Sequence, residues 1–229
     1  GIKVVGIDIH IGSQITDLAP FKLAFNKVLL LYKELIKNGH NIINIDLGGG
    51  IGVSYDENTK PFLINEYADL IKEKFGSLDC KLIFEPGRYI TANAGILLTK
   101  VIRKKESYNN SFVIVDAAMN DILRPALYDA HHEVISVLEM KKGKEVIDYQ
   151  VVGPICETGD IINRKVSLSN IKDGDLLAIK CAGAYGAVMS SYYNSRDLVP
   201  EIMISNNKIN VIRKRILIED FISYENIPE

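Results

Sequence analysis

Apolar and polar positions in the first third of the chain alternate between two periods. Short apolar, β-branched runs at residues 3–10, 42–47 and 81–85 predict β-strands. Stretches of helical period separate these runs, and strands joined by helices form parallel sheets through βαβ crossovers. Because a sheet of three strands leaves both of its edges open, we expect the closing part of a barrel or of a doubly wound sheet whose beginning is absent.

Two helices are predicted between these strands. The first has a single apolar face, because its large side chains recur at helical intervals. Asp17 can cap the start of this helix, and Gly39 suits a left-handed turn after its end. The second helix is expected at residues 63–75, closed by Gly76. The apolar face of the first helix consists of Phe21, Phe25, Val28, Leu29, Tyr32, Leu35 and Ile36.

The pattern changes near residues 90–95 from helical to strand-like. Turn clusters at residues 142–144 and 172–175 separate some of the later apolar runs. Short strands at this spacing predict an antiparallel sandwich or barrel. We therefore expect two domains, an incomplete α/β domain at 1–93 and an all-β domain at 94–229. The predicted strands of the second domain are residues 97–102, 112–115, 133–138, 146–152, 176–181 and 208–213.

Composition is that of an ordinary globular protein. Of the 229 residues, 47% are hydrophobic and 24% are charged, which excludes a disordered or fibrous chain. The net charge of −2 argues against a nucleic-acid partner, and the apolar runs are too short to span a membrane. Three widely spaced cysteines without a CxxC pair favour the reducing cytoplasm over a disulfide framework. The chain opens on Gly1 without a targeting segment, and we expect it to begin inside a longer protein.

Each predicted strand of the first domain ends in residues that can bind a ligand, and ligands of parallel α/β folds bind beyond these ends. The glycine run can present backbone N–H groups to a phosphate, and Ser13 and Arg88 add a hydroxyl and a guanidinium. Val53 stands where a GxGxxG fingerprint requires glycine. Taken singly, the glycine run also fits a tight turn, His10 a core histidine and Arg88 a surface arginine. The three motifs are HIGSQ at 10–14, DLGGG at 46–50 and EPGR at 85–88.

Three further motifs lie in the second domain. Cys156 precedes the carboxylates of Glu157 and Asp160, a pattern that equally fits a buried cysteine followed by a polar turn. Arg124 opens a segment that also fits a kinked loop with a surface arginine. Tyr185 stands between small residues, which suits either the close approach of a ligand or a β-bulge. The motifs are CETGD at 156–160, RPALY at 124–128 and GAYG at 183–186.

The adjacent His131 and His132 are the remaining candidates for a metal site. Neighbouring side chains on an extended chain face opposite ways, and no carboxylate-rich motif accompanies these two. We therefore predict no metal site.

With its six motifs in this order, the sequence resembles the fold-type III pyridoxal-phosphate (PLP) decarboxylases, and among them the diaminopimelate decarboxylase family. The resemblance covers the whole chain. It implies a (β/α)8 TIM barrel, of which this chain holds the C-terminal part, followed by a β-sandwich or β-barrel-like domain. It also implies a homodimer with shared active sites, in which residues 156–160 reach the site of the neighbouring subunit.

The resemblance also implies the residues that bind pyridoxal 5'-phosphate. His10 would stack on the pyridine ring, and Glu85 would keep the ring nitrogen protonated. A protonated ring is the better electron sink for decarboxylation. Pro86 is a further cofactor-binding residue, and the residues that would hold the phosphate are Ser13, Gly50, Gly87 and Arg88, with help from Tyr185.

The implied reaction converts meso-2,6-diaminopimelate to L-lysine and carbon dioxide. Cys156 would be the catalytic acid that returns a proton to the substrate carbon. Diaminopimelate carries a distal carboxylate and a distal ammonium, and Glu157 would bind the ammonium. The residues implied for the rest of the substrate are Arg88, Arg124, Tyr128 and Tyr185.

One residue of the family pattern is missing from this sequence. The Schiff-base lysine of the family lies near the start of the barrel, and no lysine here sits in a matching motif. We therefore expect the isolated chain to bind PLP poorly and to be inactive. The alternatives are a PLP decarboxylase for arginine, ornithine or carboxynorspermidine, and a non-catalytic regulatory relative.

Overall fold

The computed structural model describes residues 1–108, 110–138, 145–169 and 171–228. These residues form two compact units, Gly1–Thr91 and Ala92–Glu229. The turn predicted at 142–144 lies outside the described residues.

The first unit contains the predicted parallel sheet. Its strands lie in the order β1-β2-β3, and both neighbouring pairs are parallel, as predicted. Each strand is shorter than its apolar run, because only three residues of each pair with a neighbour. The strands are β1 (Gly6–Asp8), β2 (Asn44–Asp46) and β3 (Lys81–Ile83).

Both predicted helices are confirmed. The first, α1 (Leu18–Lys37), begins after Asp17, whose carboxylate accepts a hydrogen bond from Ala19 N at 2.8 Å. Gly39 follows its end with a φ of 83°, in the left-handed region that glycine adopts without strain. The second helix, α2 (Ile64–Phe75), ends at Gly76. A short helix that the sequence did not predict, α3 (Gly87–Thr91), follows β3.

Aromatic side chains from the two helices form the centre of this unit. Phe21 and Phe25 of α1 are completely buried, and the rings of Phe21 and Tyr67 meet edge to face with centroids 5.0 Å apart. This geometry is favourable because the positive edge of one ring contacts the negative face of the other. Burial raises the pKa of the Tyr67 hydroxyl to about 12.

The second unit contains a six-stranded, nearly closed barrel in the order β6-β9-β4-β5-β7-β8. Asn163 on the last strand of this order donates from Nδ2 to the backbone oxygen of His132, just before the first strand, at 2.8 Å. The prediction of a purely antiparallel sheet is wrong at one place, because β5 and β7 pair in parallel. The strands are β4 (Leu97–Glu106), β5 (Ser111–Val115), β6 (Val134–Ser136), β7 (Val146–Val152), β8 (Ile161–Ser169) and β9 (Leu176–Ile179).

Several elements of the second unit were not predicted. Strand β8 was not predicted because Asn163 and two basic residues interrupt its apolar pattern. Asn163 is nevertheless buried, and its side chain is hydrogen-bonded to the backbone. Beyond the barrel, a hairpin pairs β10 with the predicted strand at 208–213. The other unpredicted elements are α4 (Arg124–Tyr128), β10 (Glu201–Ser205) and α5 (Ile218–Ile222), whereas β11 (Lys208–Arg213) confirms the predicted strand. Over the described residues, none of the helices combines the length and the apolar character needed to cross a membrane.

Candidate functional site

The loops that follow β1 and β2 are joined by backbone hydrogen bonds. Ile15 N donates to Gly50 O at 2.9 Å, and Gly52 N donates to Ile15 O at 2.9 Å. The Gln14 side chain adds a bond from Nε2 to the backbone oxygen of Val53 at 2.6 Å. The first two motifs therefore form one interlocked surface at the carboxyl edge of the sheet.

The three glycines after β2 let the strand ends approach one another closely. A Cβ on Gly48 would lie 2.2 Å from the backbone oxygen of Ile9, and a Cβ on Gly49 would lie 2.1 Å from that of Glu85. Gly50 has a φ of 84°, which also favours glycine. Within the described residues, the amides of Gly49 and Gly50 donate to no other protein group. The run is thus a tight turn that also presents two backbone donors.

Arg88 joins the third motif to the first. It lies on α3, and its Nη2 donates to Ser13 Oγ at 3.1 Å. Its Nη1 donates to the hydroxyl of Tyr55, a residue that the sequence reasoning missed because it stands outside every motif. Gly87 precedes it in the chain, and a Cβ placed there would meet no atom within 4 Å. The Arg88 guanidinium, the Ser13 hydroxyl and the open space beside Gly87 therefore lie together at the carboxyl edge of the sheet.

His10 and Glu85 stand at the ends of the two strands that flank β2. Both side chains are exposed, so the alternative of a core histidine at position 10 is wrong. Glu85 is fixed through its backbone, because its N–H donates to Gly48 O at 2.8 Å. Pro86 follows, and its ring restricts the chain where it turns into α3.

Arg124 is buried, which corrects the alternative of a loop with a surface arginine. It is the first residue of α4 and only 6% exposed. Its Nη1 lies 2.7 Å from His132 Nε2. Tyr128, at the other end of the same helix, is 63% exposed. The two residues implied for one carboxylate thus differ in accessibility, with Arg124 held inside and Tyr128 facing outward.

The turn at 156–160 is held by its last residue. Asp160 is buried, and its carboxylate accepts hydrogen bonds from Ile155 N and Met119 N, both at 2.7 Å. Burial raises the pKa of this carboxyl. Cys156 and Glu157 are exposed on the outside of the turn, so the alternative of a buried cysteine is wrong. Asp160 therefore fixes the turn, and the exposed side chains of Cys156 and Glu157 are available for chemistry.

Glu157 has a partner that the sequence reasoning missed. The hydroxyl of Tyr193 donates to Glu157 Oε2 at 3.2 Å, and this bond and the carboxylate's charge raise the pKa of Tyr193. The segment that carries Tyr193 is tied down by Arg196, whose Nε donates to Asn120 Oδ1 at 2.9 Å. Tyr193 lies 36 positions from its partner, and no local motif connects the two.

A cavity of about 560 Å³ lies between α4 and the first residues of β8, and Gly159 of the turn at 156–160 also lines it. Ala126 and Gly159 line it from the two sides, and a Cβ on Gly159 would lie 3.9 Å from that of Ala126. The geometry thus brings together the motifs that contain Arg124 and Glu157. Across the described part of the chain, histidine, cysteine and acidic side chains form no cluster of three that could hold a metal.

Tyr185 lies in a turn after β9 and not in a β-bulge. Its φ of 60° is in the left-handed region, and its side chain is 41% exposed. Glycines on both sides of Tyr185 allow close backbone packing. Gly183 packs against Gly95, where an added Cβ would lie 2.7 Å from Gly183 Cα. A Cβ on Gly186 would likewise lie 2.3 Å from the backbone oxygen of Ala182. The small residues are therefore needed for close backbone packing, and Tyr185 lies exposed among them.

Comparison with known proteins identifies the class. A family model described as "Pyridoxal-dependent decarboxylase, C-terminal sheet domain" matches residues 23–183. A diaminopimelate decarboxylase of Zymomonas mobilis is 52% identical over the whole chain, which covers 54% of that protein. A crystal structure of diaminopimelate decarboxylase from Helicobacter pylori complexed with L-lysine superposes with a TM-score of 0.89 at 42% identity. The alignment covers 96% of this chain and 54% of that one.

The chain thus belongs to the pyridoxal-dependent decarboxylases. Within this class it is a member of the diaminopimelate decarboxylase family. It spans about half the length of the curated relatives that it matches. An arginine decarboxylase of Paramecium bursaria Chlorella virus, 24% identical with a TM-score of 0.75 over 85% of this chain and 53% of that one, shares the fold alone.

Proposed function

We propose that this chain supplies part of a PLP-dependent enzyme that decarboxylates meso-2,6-diaminopimelate to L-lysine. The observation that carries the proposal is the 3.1 Å contact between Arg88 and Ser13 beside the glycine run. It places a cation and a hydroxyl donor from two motifs at the carboxyl edge of a parallel sheet, where such folds bind phosphorylated ligands. Family membership and the six motifs support the same assignment.

The parallel unit is proposed to be the closing part of a (β/α)8 barrel. Three parallel strands joined by helices have this topology, and a barrel would pair the edges that β1 and β3 leave open. The proposed domains are 1–93, which binds the cofactor, and 94–229, the β domain.

The donors at the sheet edge fit the phosphate of PLP. Arg88 offers a guanidinium, Ser13 a hydroxyl, and Gly49 and Gly50 their backbone N–H groups. A phosphate needs several donors of this kind, at least one of them charged. The space beyond Gly87 has no atom within 4 Å of an added Cβ, so the backbone leaves room for a group there.

PLP, when bound, supplies the ring that accepts the electron pair left when carbon dioxide departs. The Glu85 carboxylate would hold a proton on the pyridine nitrogen and thereby maintain this capacity. The His10 imidazole would pack on the face of the ring. Both side chains are exposed, His10 after β1 and Glu85 after β3, and this exposure is what such contacts require.

Cys156 is proposed to deliver the proton that replaces the lost carboxylate. Its thiol would donate this proton from Sγ to the substrate carbon, a role within the range of general acids in enzymes. Glu157 would bind the distal ammonium of the substrate through its carboxylate. Arg124 and Tyr128, with Arg88 and Tyr185, would bind the carboxylates and orient the substrate.

A homodimer with shared sites is proposed from the family resemblance. Residues 156–160 of one subunit would complete the site of the other. The test uses a hybrid enzyme in which this chain replaces the matching part of the Zymomonas mobilis relative, and it mixes two inactive variants of that hybrid, one changed at Arg88 and one at Cys156. Random pairing of subunits should restore about a quarter of the parental activity if the sites are shared. No recovery would contradict the shared site.

The activity is tested in a hybrid enzyme in which this chain replaces the matching part of the Zymomonas mobilis relative. We expect the hybrid to form L-lysine from meso-diaminopimelate with PLP, and the 229-residue chain alone to form none. Cys156→Ala should lower kcat about a hundredfold or more, the usual effect of losing a general acid. Cys80→Ala is the matched control, and a folded hybrid without activity would contradict the proposal.

The substrate assignment has its own control. Arginine, ornithine and carboxynorspermidine lack the distal carboxylate of diaminopimelate. Arg124→Ala in the hybrid should therefore lower kcat/KM for diaminopimelate far more than for any of these three. Equal losses would favour another dibasic substrate. A hybrid that binds PLP but decarboxylates none of the four would instead favour a regulatory relative.

A further inference from the structure

His132 is a completely buried histidine that none of the roles above uses. Its side chain lies between Arg124 on α4 and Lys180 after β9. Nε2 is 2.7 Å from Arg124 Nη1, and Nδ1 is 2.9 Å from the backbone oxygen of Lys180. Both ring nitrogens are therefore engaged.

The two partners determine which nitrogen carries the proton. A guanidinium has only donors, so Nε2 must accept from Arg124. A carbonyl oxygen only accepts, so Nδ1 must donate to Lys180 O. The ring is thus the neutral Nδ1–H tautomer, with its bare nitrogen facing the guanidinium.

The surroundings of His132 hold the ring in place. Asn163 Nδ2 donates to His132 O at 2.8 Å, and Lys180 N donates to Glu133 O at 2.8 Å. The Lys180 ammonium also lies 2.6 Å from Glu133 Oε2. These contacts join β8 to the residues that flank β6 and β9, and they fix the backbone on both sides of the imidazole.

We propose that His132 is a positioning residue that orients the Arg124 guanidinium for the distal carboxylate of the substrate. The inference rests on the substrate role proposed above for Arg124. Because a guanidinium carries five donors, its hydrogen bond to His132 is compatible with a contact to a carboxylate. A neutral acceptor orients the arginine without adding a negative charge that would compete with the substrate.

The tautomer is tested by ¹⁵N NMR of the 229-residue chain. We expect a protonated Nδ1 and a bare Nε2 for His132, and resolved Nη signals for Arg124. His132→Ala should shift these Nη signals by removing the acceptor of Nη1, whereas His132→Gln, whose amide oxygen can accept, should keep them close to those of the parent. His131→Ala, at the exposed neighbour, is the control. An Nε2-protonated ring, or unchanged Arg124 signals in His132→Ala, would overturn the proposal.

The kinetic test uses the hybrid enzyme. His132→Ala should raise KM for diaminopimelate about tenfold with a smaller change in kcat, because ground-state binding is lost. His132→Gln should recover most of this loss, and His131→Ala should match the parent. A parent hybrid inactive on diaminopimelate contradicts the proposed function. An active parent whose KM does not respond to His132→Ala contradicts only the positioning role.

Discussion

Arg88 and Ser13 lie 75 positions apart in the chain, yet the arginine Nη2 donates to the serine Oγ at 3.1 Å. The contact joins the loop after β1 to the helix after β3. Both residues depend on the intervening glycine run, because only residues without a Cβ let the three strand ends meet. The cluster of donors is therefore a product of the sheet's topology as much as of the motifs.

Two glycines of this edge should respond differently to alanine. Gly49→Ala would place a Cβ 2.1 Å from Glu85 O and should lower the free energy of unfolding by about 1–3 kcal/mol. Gly87→Ala meets no atom within 4 Å and should leave stability unchanged. If the space beyond Gly87 receives the phosphate, Gly87→Ala should still weaken PLP binding in the hybrid. Chemical denaturation and equilibrium dialysis measure the two effects, and the reverse order would refute this account.

Tyr67 should give the first unit a distinct response to alkaline pH. Burial raises its pKa from 10.0 to about 12, so the folded protein keeps a proton that the unfolded chain releases. This contribution to stability is complete below pH 10 and declines as pH rises toward 12, by about 1.4 kcal/mol per pH unit.

Tyr67→Phe should remove that decline. Within the described residues the buried hydroxyl has no partner, so the variant should equal or exceed the parent in stability at pH 8. Unfolding followed by circular dichroism at pH 8, 10 and 11 would measure the gap between the two proteins. A gap that stays constant above pH 10 would show that Tyr67 titrates normally.

Asp160 should be more important for stability than an exposed aspartate with similar partners. Asp160→Ala leaves the buried amide of Ile155 and the partly buried amide of Met119 without an acceptor, at roughly 1–3 kcal/mol for the buried one. Asp148 on β7 also bonds to side chains, but it is exposed, so Asp148→Ala should lower the free energy of unfolding far less than Asp160→Ala does. Urea titrations compare the two, and equal losses would contradict the role of Asp160 as the support of the turn.

Tyr193 should affect substrate binding without affecting stability. Tyr193→Phe removes the hydroxyl that donates to Glu157 and should raise KM for diaminopimelate in the hybrid about 3- to 10-fold. Tyr192→Phe is the matched control, because the ring of Tyr192 stacks on Phe221 with centroids 4.7 Å apart and this stacking survives the change. Identical KM values for both variants would exclude a role for the Glu157 contact.

Local signals in the sequence predicted the parts of the fold that depend on local physics. Helix α1 is one example, since Asp17, its apolar face and Gly39 all lie within or beside it. The parallel order of β1, β2 and β3 followed from the helices between them. The parallel pair of β5 and β7 did not, because strand direction there depends on a connection with no helical period.

The candidate site divides in the same way. Residues of short motifs, such as Ser13 and Arg88, could be selected from their chemistry and position after a strand. The partners that hold them could not, because they are distant in the chain: Tyr193 for Glu157 and Tyr55 for Arg88. The burial of Arg124 also escaped prediction, since it depends on a histidine fixed by the backbone of Lys180.

The most direct test is the affinity of the hybrid enzyme for PLP and for pyridoxal, which lacks the phosphate. Arg88→Gln should weaken PLP binding at least tenfold, corresponding to about 1.4 kcal/mol or more, and should leave pyridoxal binding nearly unchanged. Arg103→Gln, at an exposed arginine of β4, should change neither affinity. If Arg88→Gln binds PLP as tightly as the parent does, the phosphate does not lie at this edge of the sheet.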